Sequence, residues 1–353
     1  METYYFIKGK QMAEITIREI AKRCGVGVST VSRAINNHSD INPETKQRIM
    51  DVIKETGYIP NNSARNLKRT DAKCIGVLVK GITNPFFTPI IETIEQEAEN
   101  KGYAVVLRHV EAYENEVNVA LELEKEKRLR GIIFLGGSSK QDANRLKQLN
   151  VPVIFATIGS DISDNLGRNA YSTVSVDDAV ESRKMVEYLI GLGHRKIAIL
   201  TEGNDEPSVV RLRYDGYCDA LRKHGIELDE RLVKYVDRRI YAMQNGYETT
   251  KSLIESGAEF TAIFCISDVL AVGALRALAD AGIRVPEDVS VAGFDGQDIA
   301  TFSIPRLTTI RQPLSDISEE TMRLIFDLIE EKRGHKHLIF PGELIEAEST
   351  RKI

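Results

Sequence analysis

Short apolar runs begin at Cys74, Tyr103 and Gly131, at intervals of 29 and 28 residues, and the same two intervals recur in the runs that begin at Leu232, Thr261 and Val289. Two further runs, Val151–Ala156 and Lys196–Leu200, fall between the groups, and amphipathic stretches separate all of them. Strand-length apolar runs alternating with helical patterns are βα units, and their strands pair in parallel. The chain past Lys73 is therefore expected to be α/β, with two similar doubly wound lobes. Open sheets of this kind bind ligands beyond the carboxyl ends of their strands, so a cleft between the lobes is the place to look for a site.

Enzyme chemistry finds little support in that layout. No GxxxxGK[ST] occurs, and Gly191-Leu192-Gly193 precedes a strand instead of following one, so the phosphate-cradling and dinucleotide fingerprints lack their context. There is no GxSxG elbow. His335-Lys336-His337 lies in a charged stretch and is read as solvated surface, because a zinc site needs further ligands. The four cysteines, Cys24, Cys74, Cys218 and Cys265, are too far apart in sequence for a CxxC pair and are read as small, reduced core residues. No catalytic residue, metal or cofactor is expected. The longest apolar runs are strand-length, and Met1 to Met12 has neither an apolar h-region nor a small-residue cleavage site, so a cytoplasmic location is expected. Met1 and Met12 both remain candidate starts.

Charge divides the chain. Up to Thr70 it carries 12 Lys and Arg against 7 Asp and Glu; after it, 35 against 45. A basic head on an acidic body suits a polyanion-binding module joined to a domain with another task. In the head, Ile17, Ile20, Ala21 and Cys24 share one helical face behind Thr16 as N-cap, and Gly25-Val26-Gly27 supplies a tight turn. Val28, Val31 and Ile35 then begin a second stripe whose polar face carries Ser29, Ser32, Arg33 and Asn36. Asn42 and Pro43 open a third helix with Ile49, Val52 and Ile53 facing inward. Any small helical bundle shows such stripes. Short hydroxyl residues and one Arg at the start of the second helix, however, suit base edges in a major groove.

The stretch Thr16-Ile17-Arg18-Glu19-Ile20-Ala21, the run Ser29-Thr30-Val31-Ser32-Arg33-Ala34-Ile35-Asn36 and the run Gly57-Tyr58-Ile59-Pro60-Asn61 together resemble the LacI/GalR (lactose-repressor) family of bacterial transcription regulators. The likeness implies a helix-turn-helix DNA-binding domain over residues 14–61 after an extension, 1–13. It implies that Ser29, Ser32, Arg33 and Asn36 face base edges and that Tyr58 and Asn61 face the DNA backbone. Ala64-Arg65-Asn66-Leu67 resembles the family's hinge helix within residues 62–72, with Ala64 at the DNA and Leu67 wedged in the minor groove. A segment this short is marginal as an isolated helix and needs DNA or a partner to order it. Read without the likeness, it is an ordinary linker.

The body, residues 73–353, is similar to the family's effector domain and to periplasmic sugar-binding proteins. Lobe 1 is expected at about 73–170 and 311–341, and lobe 2 at about 171–310 and 342–353. The likeness implies that Asn84, Phe86, Phe87, Arg213, Asp295 and Gln312 line the pocket, and Ser267 and Asp268, at the end of another strand, are read as effector contacts as well. Ser267 departs from the Asn of many sugar binders, and Val209 replaces polar residues found in relatives. Carboxylates at strand ends also cap helices, so each position has a plain structural alternative. The implied protein is a ligand-responsive repressor, homodimeric or of higher order, on a palindromic operator, with a sugar or sugar-derived effector. A purine-type corepressor and a sugar-binding protein without a regulatory role stand as alternatives.

Overall fold

The structure, a computed structural model, describes residues 15–35, 41–56, 58, 73–81, 83–111, 113–138, 140–159, 162, 167–203, 208–236 and 243–353. It divides into two compact units, Met1–Ala72 and Lys73–Ile353. Asn36, Asn61, Ala64 and Leu67, and the expected hinge helix, lie outside the described residues.

The first unit holds α1 (Ile17–Cys24), α2 (Val28–Ile35) and α3 (Pro43–Thr56). Ile20, Ala21, Cys24, Val31, Ala34 and Ile49 form its buried core, with Ile17, Ile35, Val52, Ile53 and Tyr58 packed against them. Gly25 ends α1 in the left-handed region at φ 63°, where a Cβ is unfavourable. Asn42 caps α3, its Oδ1 accepting from Glu44 N at 2.9 Å. One expectation holds in position only, and another fails. Thr16 occupies the cap position of α1, but its side chain makes no capping bond; its carbonyl accepts from Glu19 N at 2.9 Å instead. Val28 is 42% exposed, because as the first residue of α2 it lies beyond the edge of the small core.

The second unit runs β1 (Cys74–Lys80), α4 (Thr88–Asn100), β2 (Ala104–Val110), α5 (Glu116–Lys127), β3 (Gly131–Leu135), α6 (Ala143–Leu146), β4 (Val153–Ala156), β5 (Ser172–Val176) and α7 (Asp178–Gly191). It continues through β6 (Ile197–Glu202), α8 (Val209–Lys223), β7 (Val233–Val236), α9 (Met243–Glu255), β8 (Ala262–Cys265), α10 (Asp268–Asp280), β9 (Ser290–Ala292) and α11 (Asp298–Phe302). The last elements are β10 (Thr309–Arg311), α12 (Leu314–Ile329), β11 (His337–Phe340) and β12 (Glu343–Ile345). One sheet has the order β11-β5-β4-β3-β1-β2 and another β7-β6-β8-β9, both parallel throughout. An antiparallel pair, β10 with β12, completes the set.

Alternation along the strands supplies both faces of the first sheet. Val77, Val79, Ile133 and Leu135 pack with α4 and α12 on one side, while Leu78, Ile132 and Phe134 pack with α5 on the other. A separate core, built on Ile199, Phe264 and Leu278, belongs to the second lobe. Between the lobes the chain crosses after β5, after β10 and after β11. The first crossing corrects the expected boundary at 170/171, because β5 pairs with β4 and β11 in the first sheet. Its sequence, Ser-Thr-Val-Ser-Val, reads as polar, yet every residue of it is buried.

The reading of His335 and His337 is corrected for the same reason. His335 Nδ1 is 3.0 Å from Ser172 Oγ, and His337 Nδ1 is 3.0 Å from Thr173 Oγ1, so these half-buried rings satisfy the hydroxyls of β5. Cys24 and Cys265 are buried as expected, whereas Cys74 and Cys218 are only half-buried.

Candidate effector cleft and DNA-facing helix

A cavity of about 450 Å³ opens between the two lobes of the second unit. Its wall is built from strand ends. The first lobe brings Lys80 at the end of β1, the turn at Asn84–Phe87, His109 and Glu111 around the end of β2, Gly136–Ser138 after β3 and Thr157 after β4. The second lobe brings Glu202 from β6, Ser208, Val209, Val210 and Arg213 from the start of α8, Ile266 after β8 and Asp295 after β9. Glycine is required at 137, where φ is 109° and a Cβ would meet the Glu116 carboxylate.

Of the sequence-derived candidates, Asn84, Phe86, Phe87, Arg213 and Asp295 line this cavity. Asn84 Oδ1 accepts from Phe86 N at 3.0 Å and so shapes the short 3₁₀ turn that presents both rings. The rings meet edge to face at 5.2 Å and also belong to the first lobe's core, so they serve both roles open to them. Arg213 is 7% exposed and Asp295 is 2% exposed. Arg213 Nη1 stands 3.1 Å from Asp295 Oδ1, its Nε donates to Asp178 Oδ1 at 2.8 Å, and Nη1 donates to the Ile266 carbonyl at 2.6 Å. Its guanidinium also lies over the Phe294 ring, 3.8 Å from the centroid.

Asp295 is held at φ 110°, a conformation unfavourable for any residue with a Cβ and one that tends to occur where function over-determines the backbone. Burial pushes its carboxyl upward, while Arg213 opposes the rise. Gln312 approaches the site at one remove: its Nε2 donates to Asp295 Oδ1 at 2.9 Å. Ser267 and Asp268 follow the structural alternative and are not on the cavity wall. Ser267 Oγ caps α10, accepting from Leu270 N at 3.4 Å. Asp268 accepts from Thr309 Oγ1 at 2.6 Å and from Gln297 N at 2.7 Å, tying the loop after β9 to β10.

Three participants have no signature in the sequence. Asp178, at the start of α7, pairs with Arg213, and burial pushes its carboxyl up to about 6 against the pull of that Arg. Glu116 lies behind the wall, 3.3 Å from Lys80 Nζ. Gln297 Nε2 donates to Asn84 Oδ1 at 3.3 Å and to Asp295 Oδ2 at 3.2 Å, a bond from the second lobe to the first. A bridge between Ser138 and Ser208 also spans the cleft. The positive φ of Asp295 is the kind of signal that only coordinates reveal.

In the first unit, Ser29 and Arg33 are exposed and Ser32 is half-buried on α2, away from Val31 and Ala34, which face the core. Tyr58 is half-buried and packs against that core. Among the described residues there is no group of three His, Cys, Asp or Glu side chains placed to hold a metal, and no helix long and apolar enough to cross a membrane.

Residues 16–61 match the model described as "Bacterial regulatory proteins, lacI family", and residues 186–350 match a "Periplasmic binding protein-like domain". The chain is 38% identical to the HTH-type transcriptional regulator MalR of Clostridium butyricum over 96% of its own length and 100% of that protein's. It is 33% identical to the HTH-type transcriptional repressor CytR of Escherichia coli K12, with 98% of each chain covered. Among solved structures it is similar to the lac repressor dimer bound to operator and the anti-inducer ONPF, with a TM-score of 0.72, 25% identity, and 96% and 100% of the two chains covered. A transcriptional regulator CelR–cellobiose complex aligns with a TM-score of 0.68 at 27% identity, over 95% and 99% of the chains.

Proposed function

Because the chain belongs to the lacI family of bacterial transcription regulators, we propose that it is a repressor that acts as a homodimer on a roughly palindromic operator under the control of a sugar or sugar-derived effector. The effector sits in the cleft between the lobes. Arg213 and Asp295, with Asn84, supply charge-assisted and amide hydrogen bonds to adjacent hydroxyls, and Phe86 and Phe87 supply the apolar wall. One observation carries the reading: a buried Arg–Asp pair opens onto a cavity lined by both lobes. A ligand that touches both lobes favours the closed arrangement by its differential affinity for it.

On the DNA side, Ser29, Ser32 and Arg33 of α2, together with Asn36, meet base edges, and Tyr58, Asn61, Ala64 and Leu67 meet backbone and minor groove. The exposed polar face of α2 supports the part of this assignment that lies among the described residues. Two recognition helices in a two-fold dimer match half-sites one helical turn or its multiples apart.

Calorimetry of the full chain against sugars and nucleobases tests the effector assignment. Asp295→Ala should weaken the sugar that binds by tenfold or more, about 1.4 kcal/mol or above, since a buried partner group is left unpaired. Undiminished binding in that variant would overturn the site, and a response to purines alone would replace the sugar with a corepressor.

A further inference from the structure

We infer that the cleft selects an uncharged effector and rejects phosphorylated or otherwise anionic sugars; the inference rests on the cleft being the effector site. Among the described residues, Lys80, His109, Glu111, Glu202, Arg213 and Asp295 are the titratable side chains on its wall. Among the described residues, every basic side chain there already faces a carboxylate. His109 Nδ1 is 3.4 Å from Glu111 Oε1. Arg213 is shared between Asp178 at 2.8 Å and Asp295 at 3.1 Å. Lys80 Nζ is 3.3 Å from Glu116 Oε2 and donates to the Glu114 carbonyl at 3.1 Å.

The partner of Lys80 is built in. The Glu116 side chain is 4% exposed, and its Oε1 accepts from Ser138 N at 2.6 Å and from Gln141 Nε2 at 3.2 Å, which fixes the carboxylate against the ammonium. Glu116 and Asp178 stand behind the wall, and among the described residues they join Glu111, Glu202 and Asp295 in setting five carboxylates against the permanent cations Lys80 and Arg213.

A phosphate dianion entering here would have to share Lys80 or Arg213 with a carboxylate that cannot leave. The added like charge is buried with it, and neither cation can turn away without stranding its own partner. A hydroxyl requires no such exchange, because it donates to a carboxylate oxygen that retains lone pairs after its ion pair is made. Glu116 and Asp178 thereby act as specificity determinants, through the cations they hold.

The test measures binding to the full chain of paired probes that differ by one phosphate: glucose with glucose 6-phosphate, trehalose with trehalose 6-phosphate, ribose with ribose 5-phosphate, and adenosine with AMP. Within any pair that binds, the phosphate ester should be weaker by about 30-fold or more. A phosphate ester that binds as tightly as its parent overturns the charge selectivity and leaves the cleft assignment standing. Binding of adenosine without any sugar overturns the sugar reading, and the AMP arm still decides the charge question. Inorganic phosphate is titrated in parallel into the parent chain, Glu116→Gln and Asp178→Asn. Phosphate binding that is absent in the parent and appears in a variant whose melting curve stays cooperative is the expected result. Binding to the parent, or silence in both variants, overturns the inference.

Discussion

A single buried side chain, Asp178, shows how the cleft's chemistry reaches into stability. Burial pushes its carboxyl up to about 6, although Arg213 lies 2.8 Å away and favours the charged form. A carboxyl held above its unfolded value of about 3.9 binds more protons in the folded chain than in the unfolded one between those two pH values. Its contribution to stability is therefore fully present below the unfolded value and is lost as the pH rises through about 6. Asp268 shares that direction, raised first by burial and then by Asp295. Asp178→Asn keeps an acceptor for Arg213 and cannot ionise. We expect it to gain on the parent chain between about pH 4 and pH 7, by on the order of 2–3 kcal/mol, read from thermal melts across that range. A difference in melting temperature that does not change with pH would refute this account of Asp178. Nothing in the sequence announced the residue. Arg213 and Asp295 were legible through the likeness to the family's effector domain. Asp178, Glu116 and Gln297 act through partners far along the chain, as with the 213 residues that separate Gln297 from Asn84.

Elements were legible where their period was strong and their composition apolar. The runs that begin at Cys74 and Gly131 became β1 and β3 with little change of boundary. β5 and β11 were missed because Ser172, Thr173 and Ser175 read as polar, and His337 as surface. β5 is buried throughout, and its Ser172 and Thr173 hydroxyls meet His335 and His337 only when β5 and β11 pair. Close helix packing is equally invisible in one dimension. α9 and α10 meet at Gly246 and Gly273, and a Cβ on Gly273 would run into the backbone of Met243 and Tyr247. Gly to Ala in a helix normally gains about 1 kcal/mol from propensity, but overpacking against backbone that cannot rotate away costs typically 1–3 kcal/mol. The steric term should win, so Gly273→Ala is expected to lower the melting temperature. Gly191→Ala, at the end of α7 with nothing within 4 Å of the added carbon, should be neutral or mildly stabilising. Equal effects at the two positions would show that backbone contact between α9 and α10 is not what decides.

On the scale of the whole molecule, the segment from Asp295 to Ile304 joins three tasks within one short stretch. Asp295 faces the cleft, Gln297 bonds to Asn84 of the other lobe, and α11 then leads to Phe302, 82% exposed, and Ile304, 95% exposed. Large apolar side chains so far out of a fold, and so close together in sequence, suit a surface that a second copy covers. We expect the proposed homodimer to use that surface. Two consequences follow from the geometry. Replacing Phe302 and Ile304 together by Asp should shift the chain toward monomer in sedimentation, since buried charges would meet across a two-fold interface. Operator affinity should then fall by more than tenfold, about 1.4 kcal/mol, because a monomer offers one recognition helix where the dimer offers two on a shared, prepaid geometry. Effector binding per subunit should change far less, as Asp295 and Arg213 remain paired within one chain. If the double variant sediments as the parent does, the dimer surface lies elsewhere. If it becomes monomeric yet holds the operator undiminished, the two-helix account of DNA recognition fails. Because the ligand-facing and dimer-facing ends of this segment are only a few residues apart, effector and operator affinities should also change together in the parent. By linkage, the factor by which effector alters operator binding must equal the factor by which operator alters effector binding. Titrating each ligand in the presence of the other measures both factors, and unequal values would mean that a further state, such as dissociation into monomers, takes part in the coupling.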